Sequence, residues 1–524
     1  MANSAQPINK GLALAGSAAV LAVALLVLLP VAALFARADG MGGINSYGWS
    51  VIRFTIFQAA LSALISVLLA IPVARALARR QFFGRGFVLS LMGAPFLLPS
   101  IVAVFGLLAI WGRSGIFSDI LARFGAGPLD IYGLSGILLA HVFFNFPLVV
   151  RMILQAWDAV PVEHFRLAAQ LNMGPRAIFR LIEIPLLRGV VPSALLVVFL
   201  LCMTSFAVVL ALGGGPKATT IELAIYQALR FEFDLSTAAM LALVQFALCI
   251  SVAVLALKAT RSAGFGGGLI MVQNRWDKTK ILLWQDSILI ALSLVFVAMP
   301  LIAIVFRGLK GLVSGIPAGL LQALITSLII ALTSAMLAIT LALILAHFIQ
   351  YLRGKSGQAL EVFAFLTLAA SPFVIGTGLF IVINPFVDPF KLALPITALV
   401  NAAITLPLAL RIFLPCLARI NENYGQVASN IGLSGWSRFR ILTWPQMRRE
   451  IGFATGIAAA LSMGDLGVIT LFAPPDIATL PLLMYRLMGS YQTEAAALVA
   501  LILVASSFLL FWLFDNGGRH GNHP

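Results

Sequence analysis

Apolar stretches longer than about 20 residues, the length of helix that crosses a bilayer, follow one another along almost the whole chain. Twelve such runs stand at residues 11–36, 51–78, 87–111, 132–157, 189–212, 234–257, 281–306, 320–349, 359–384, 392–417, 450–473 and 493–514. Backbone amides find no hydrogen-bond partner in lipid, so a spanning segment must be a helix or part of a closed barrel. The runs lack the alternation of barrel strands, which leaves helices. Composition agrees, because a chain that is 61% hydrophobic and 10% charged lies outside the range of water-soluble domains. The expected fold is an all-α membrane protein with about twelve transmembrane helices.

A net charge of +15 raises the question of a nucleic-acid partner, but the basic residues are placed as topology markers. With the N-terminus inside, more than two-thirds of the 34 Lys and Arg fall in cytoplasmic segments, among them Lys10, Arg75, Arg85, Arg151 to Arg188, Lys258 to Lys280, Arg411 to Arg449 and Arg519. Both termini are then expected in the cytoplasm, and no nucleic-acid site is implied. The first apolar run exceeds the roughly 7 to 15 residues of a signal-peptide core and is needed as a span. Cys202, Cys249 and Cys416 lie in apolar runs and read as small buried hydrophobes.

The chain repeats itself. One fixed offset aligns Pro147 with Pro407, Arg151 with Arg411, Ala168 with Ala428, Phe179-Arg180 with Phe439-Arg440, Pro185 with Pro445, Arg188 with Arg448 and Met203 with Met463. Residues 1–257 form a first half of six spans and 281–524 a second, joined by a Gly-rich, charged linker at 258–280. An even number of spans returns the chain to the same side, so the halves are parallel. Their interface offers a central route across the membrane, and transport follows more readily than catalysis.

Within each half, between the fourth and fifth spans, lies a polar, Arg-rich segment, "LNMGPRAIFRLIEIPLLR" (Leu171 to Arg188) and "IGLSGWSRFRILTWPQMR" (Ile431 to Arg448). Each reads as two short helices around a sharp break, in loops at about 160–186 and 420–446. Gly432 suits a left-handed C-cap, and Ser434 suits the cap of the next helix. In the first half Asn172 takes the left-handed position, followed by Gly174 and by Pro175 at a helix start. Pro185 and Pro445 are expected to stop the second helix. Phe165, Ala168, Ala169 and Asn172 share one face, as do Ala428, Ser429 and Gly432, and their small side chains would let another surface approach. Two equivalent knobs suit a symmetric pair of partners; amphipathic helices lying on the membrane are the plainer reading.

This spacing resembles the EAA loop of bacterial ABC importer permeases, Glu-Ala-Ala, three residues, then Gly. The Glu position holds Arg166 in one half and Gln426 in the other, with Glu163 and Glu422 a turn upstream, and the Gly survives only as Gly432. The resemblance extends from about residue 50 to 514. "SFAVVLALGGGPKATTIELAIYQAL" (Ser205 to Leu229), "LSMGDLGVIT" (Leu461 to Thr470) and the fused layout are similar to the thiamine and thiamine pyrophosphate permeases, with ferric-iron permeases the nearest competitor. The resemblance implies a type I importer fold of two parallel six-helix repeats in the bacterial inner membrane. It also implies two cytoplasmic ABC ATPase subunits that receive the knobs, a periplasmic substrate-binding protein, and a thiamine-like cargo moved by alternating access.

The chain has no nucleotide loop of its own. "GGGPKATT" (Gly213 to Thr220) lacks the Walker spacing, and Gly354-Lys355-Ser356 has Ile349 where the first Gly should stand. No cofactor, metal-ligand spacing or nucleophile–base pair is visible, so the chain is expected to be no enzyme. Lys217 and Thr219 would meet a binding protein or the substrate, or belong to a flexible loop. Asn145, Thr204, Ser205, Tyr226, Thr405 and Asp465 are placed along the translocation path, and His141 and Asn401 are further polar residues on inner faces. Asp465, the repeat partner of Ser205, either assists a cationic solute or caps a helix break between Gly464 and Gly467. A secondary transporter driven by an ion gradient is the reading from another class; it favours several mid-membrane charges and inverted repeats.

Overall fold

In the computed structural model the described residues are 10–38, 45–158, 160–260, 280–313, 315–352, 354–367 and 370–519. They hold helices, turns and connections without strands, as the backbone accounting of a bilayer requires. The main helices are α1 (Lys10–Arg37), α2 (Ser46–Arg79), α3 (Ser100–Trp111), α4 (Leu134–Asp158), α5 (Val162–Gln170), α6 (Ile184–Met203), α7 (Phe206–Leu212), α8 (Ile221–Gln227), α9 (Leu235–Thr260) and α10 (Lys280–Gly311). They continue with α11 (Leu320–Leu352), α12 (Gly354–Leu366), α13 (Pro372–Ile383), α14 (Ala393–Asn430), α15 (Trp444–Met463), α16 (Gly467–Phe472), α17 (Leu480–Gly489) and α18 (Thr493–Arg519). The linker expected at 258–280 lies, from 261 to 279, outside the described residues.

Among the described residues 11 helices are long and apolar enough to cross a membrane, which makes this a multi-pass membrane protein. The expected span at 359–384 is the one that differs. It divides into α12 and α13, where Ser371 accepts the N–H of Val374 and Pro372 opens the next helix, so neither piece reaches spanning length. The composition is continuous there, and the helix is not. The run at 87–111 is broken too, into Arg85–Leu91, Ala94–Leu97 and α3, with Pro99 before Ser100, but the stretch Ser100–Arg123 keeps spanning length.

Packing divides the chain into two compact units that cut across the sequence halves. The first unit takes α1, residues 225–246 and the described chain from 311 onward; the second takes the described residues within 45–224 and 247–310. In the first unit α14 and α15 pack on α11, α18 packs on α15, and α1 lies along α13 and α11. The approach of α1 is close: a Cβ on Gly378 would stand 2.5 Å from the Pro30 carbonyl oxygen. In the second unit α2 packs on α4 and α6, and α10 joins them through Phe296, whose ring meets Trp111, Phe143 and Phe146 at 6.0 to 6.3 Å. Near its start α10 brings Asp286 between Arg79 and Arg80 of the α2 terminus.

Candidate functional site

The two knobs are built alike. Asn172 and Gly432 adopt left-handed backbone, with φ of 49° and 70°. One residue later, the N–H groups of Met173 and Leu433 reach back to the carbonyls of Ala168 and Ala428, each at 2.9 Å. Asn172 and Gly432 themselves donate to Ala169 and Ser429 at 3.0 and 3.2 Å. This pair of nested bonds satisfies the last carbonyls of a helix and turns the chain sharply. Gly174 and Ser434 then sit in extended backbone, and Pro175 begins a short helix, Pro175–Ile178, as expected. Ser434 departs from expectation, since its side chain makes no cap bond. The short helix Gly435–Arg438 is entered instead through left-handed Gly435, at φ 55°.

Burial corrects the expected contact face. Ala168 and Ala428, like Phe165, are buried, so these small side chains underlie the turn. What faces outward is Leu167 and Leu171 in one knob and Val427 and Ile431 in the other, the last residues of each pair 59% and 66% exposed. Arg166, Ala169, Asn172 and Gly174 are also exposed, as are Gln426, Ser429, Gly432 and Ser434.

Pro185 and Pro445 do not stop the second helix. Before each, the chain widens into a π turn, Phe179–Glu183 and Phe439–Thr443, where Ile184 and Trp444 donate to carbonyls five residues back. Each proline then falls in the first turn of α6 or α15, just past the widened row of bonds, where the chain carries its ring without ending the helix. Knob and rod are thus continuous. α6 and α15 run from the π turns to a second pair of breaks, Thr204-Ser205 before α7 and Gly464-Asp465-Leu466 before α16.

At these breaks Thr204 donates to its own helix at Leu200 (3.2 Å), and Asp465 Oδ1 accepts the N–H of Gly467 at 3.0 Å. Asp465 stands one residue before Leu466, the N-cap of α16, whose own side chain makes no cap bond; its bond to the Gly467 N–H is a contact with the backbone at the helix break. Deeper in each unit runs a polar seam. In the second unit Ser62 and His141 Nδ1 lie 3.0 Å apart, Asn145 donates to Cys202 Sγ at 3.3 Å, and Gln58 donates to the Cys202 carbonyl at 3.1 Å. In the first unit Asn401 donates to Ser462 at 3.0 Å and Thr405 to the Asn401 carbonyl at 2.9 Å. The repeat offset sets His141 on Asn401, Asn145 on Thr405 and Cys202 on Ser462, so the seam is duplicated with the chain. Sequence reading missed Thr55, Gln58, Ser62 and Ser66, which are buried along one face of α2; their spacing of three and four in an apolar run was the available signal. Tyr226 lies edge-on to Phe231 at 5.5 Å. In the Gly213 to Thr220 loop Lys217 is exposed and Thr219 buried.

No protein-family model matches the chain. Whole-chain relatives do. It is 41% identical over 519 residues, 97% of its length and 95% of theirs, to the thiamine transport system permease protein ThiP of Brucella abortus (strain 2308). The chain belongs to the thiamine transport system permeases. A second member, from Escherichia coli (strain K12), is 38% identical over 526 residues, 98% of each chain, and one from Haemophilus influenzae is 35% identical over 480 residues. The molybdenum transport system permease protein ModB of Azotobacter vinelandii is 28% identical over 185 residues, which cover 81% of that protein and 35% of this permease.

Proposed function

We propose that this permease is the membrane subunit of an ATP-driven importer that carries thiamine or thiamine phosphates inward. It would sit in a bacterial inner membrane with both termini and both knobs in the cytoplasm. Two ATPase subunits would take the knobs, and a periplasmic binding protein would deliver cargo. The cargo follows from the relatives' identity along the whole chain. The observation that carries the energising mode is the duplicated turn at Asn172 and Gly432, with an exposed aliphatic pair on each knob, which suits two copies of one partner surface.

Nucleotide-driven closure of the ATPase subunits would displace the knobs, and α6 and α15 would carry that displacement to the breaks at Ser205 and Asp465. Only a difference in binding free energy between the two states can drive the switch. Asn145, Thr204, Ser205, Tyr226, Thr405 and Asp465 remain the proposed lining of the path, with Asp465 holding the start of α16. The test is thiamine-stimulated ATP hydrolysis in vesicles containing the chain, its ATPase and its binding protein, with and without Gly432→Trp. Stimulation that disappears in the variant while the folded chain assembles normally supports the reading. Hydrolysis indifferent to thiamine removes the cargo assignment, and an intact chain that binds no ATPase removes the importer reading.

A further inference from the structure

The π turns behind the two knobs are each held by a basic residue from a neighbouring long helix, and the two halves do it differently. In the second unit Arg75, near the end of α2, forms an ion pair with Glu183, which is fully buried. Its guanidinium also lies over the Phe179 ring, 4.5 Å from the centroid. Glu183 and Phe179 are the two ends of the π turn. One side chain therefore grips both ends of the turn that joins the first knob to α6. Thr55 and Ser327 each accept the first N–H of a short helix, from Ile221 and Leu480; the register that pairs them sets Arg75 on His347 in the first unit, and the same offset that pairs the knobs sets Phe179 on Phe439 and Glu183 on Thr443. There His347 meets Phe439 edge-on at 5.8 Å, and Thr443, buried, stands where the carboxylate would be. The aromatic contact is kept in both halves, and the ion pair belongs to one.

We propose that Arg75 is a positioning residue of the transport cycle: it fastens the Phe179–Glu183 turn to α2, so that displacement of the first knob reaches α6 undiminished. The proposal rests on the coupling role proposed above for the knobs. The physical argument is stiffness. A π turn has a wider, less regular hydrogen-bond row than the α-helix on either side, and an unbraced turn would absorb a push as local bending. A half-buried Arg–carboxylate pair resists such bending because separating it leaves a buried charge without its partner, and the guanidinium over the ring adds a second, perpendicular restraint. In the second half the turn is braced by rings, with His347, Trp436 and Trp444 about Phe439, and Thr443 can form no ion pair, so the two halves hold their turns by different contacts and loss of one ring leaves others in place.

The test measures ATP hydrolysed per thiamine delivered in vesicles holding the permease, its ATPase and its binding protein, for Arg75→Ala, Arg75→Lys, Glu183→Gln and His347→Ala. Arg75→Ala is expected to raise this ratio about tenfold, in the range of ordinary coupling energies, while the ATPase still co-purifies with the permease. Arg75→Lys, which keeps the charge without the planar fork, is expected to fall between, and His347→Ala to shift the ratio less than Arg75→Ala. Exchanging the pair, Arg75→Glu with Glu183→Arg, is expected to recover part of the coupling lost in Arg75→Glu alone. A wild-type ratio in Arg75→Ala overturns the proposal. If that variant does not fold, wild-type ratios in both Arg75→Lys and Glu183→Gln overturn it instead. The knob reading is checked separately by ATPase co-purification with Leu171→Asp and Ile431→Asp: retained binding there defeats the knob assignment itself, whatever Arg75 does.

Discussion

Ser327 Oγ accepts the backbone N–H of Leu480 across 153 residues of chain, at 2.8 Å and buried. Thr55 does the same for Ile221 in the other unit, at 2.9 Å. Both donors are the first residues of short helices, α8 and α17, and first-turn N–H groups have no partner within their own helix. Ser327→Ala should therefore leave a buried donor unpaired and lower stability by about 1 kcal/mol, the scale measured for polar contacts inside membranes. Ser327→Thr, which copies the residue of the first half, should retain most of it. Thermal unfolding in detergent, compared with Thr55→Val, checks both positions; no shift in either would mean that water already serves these amides.

The left-handed turns give a second prediction. A Cβ on Gly432 would meet nothing within 4 Å, so the cost of Gly432→Ala is conformational alone and should be about 1 kcal/mol. Gly432→Val should cost more, because a β-branched side chain tolerates this backbone least. Asn172→Val should lose a similar amount, whereas Asn172→Gly should be nearly neutral, the relief of strain being offset by a more flexible unfolded chain. Unfolding midpoints of the four variants measure this directly.

The turns were legible in the sequence because residue type reports local backbone preference: Gly432, Asn172 and Pro175 each suit one conformation at one place. The π turns were not, because they depend on which carbonyl an amide chooses, and Pro185 and Pro445 look like stops whichever it is. Composition made helices certain across 359–384 and gave no hint that Ser371-Pro372 divides them. The inward setting of Ala168 and the seam built on Thr55, Gln58 and Ser62 depend on neighbouring helices. Sequence symmetry likewise pairs residues 1–257 with 281–524, while α1 and α10 pack by complementarity of surfaces that no repeat announces.

Asp286 illustrates such packing and carries a third prediction. It is almost completely buried, with Oδ2 at 2.8 Å from Arg80 Nε and Oδ1 at 3.7 Å from Arg79. Removing one member of a buried ion pair costs about 3 to 5 kcal/mol, because the remaining charge stays desolvated. Asp286→Ala should lose about that much and loosen α10 from α2. Asp286→Asn, able to accept one hydrogen bond, should lose less. Proteolysis of the chain around residue 280 together with thermal unfolding would detect the loosening, and an unchanged cleavage rate in Asp286→Ala would show that the other contacts of α10, the Phe296 cluster and the bonds of Arg307 to the Ala109 and Ser114 carbonyls, hold it without the ion pair.

Asp234 gives a pH dependence with a definite sign. Standing before α9, it accepts the Thr237 hydroxyl at 2.6 Å and the Thr237 N–H at 3.0 Å, the arrangement of a helix N-cap. These bonds, the hydroxyl first and the backbone N–H second, favour the ionised form and hold the carboxyl below its ordinary value. A group whose pKa is lower in the folded state contributes its full stabilisation above the unfolded value, near 4 for Asp, and loses it as pH falls through the lower folded value. Asp234→Ala should cost about 1 kcal/mol at neutral pH. Asp234→Asn keeps an acceptor without a titrating group, so it should lose little at neutral pH and, relative to the parent, become less sensitive to acid below pH about 4. Unfolding midpoints of parent and variants between neutral pH and the acid limit of detergent solubility decide the matter. Parallel curves for parent and Asp234→Asn would mean that the cap acts through geometry alone.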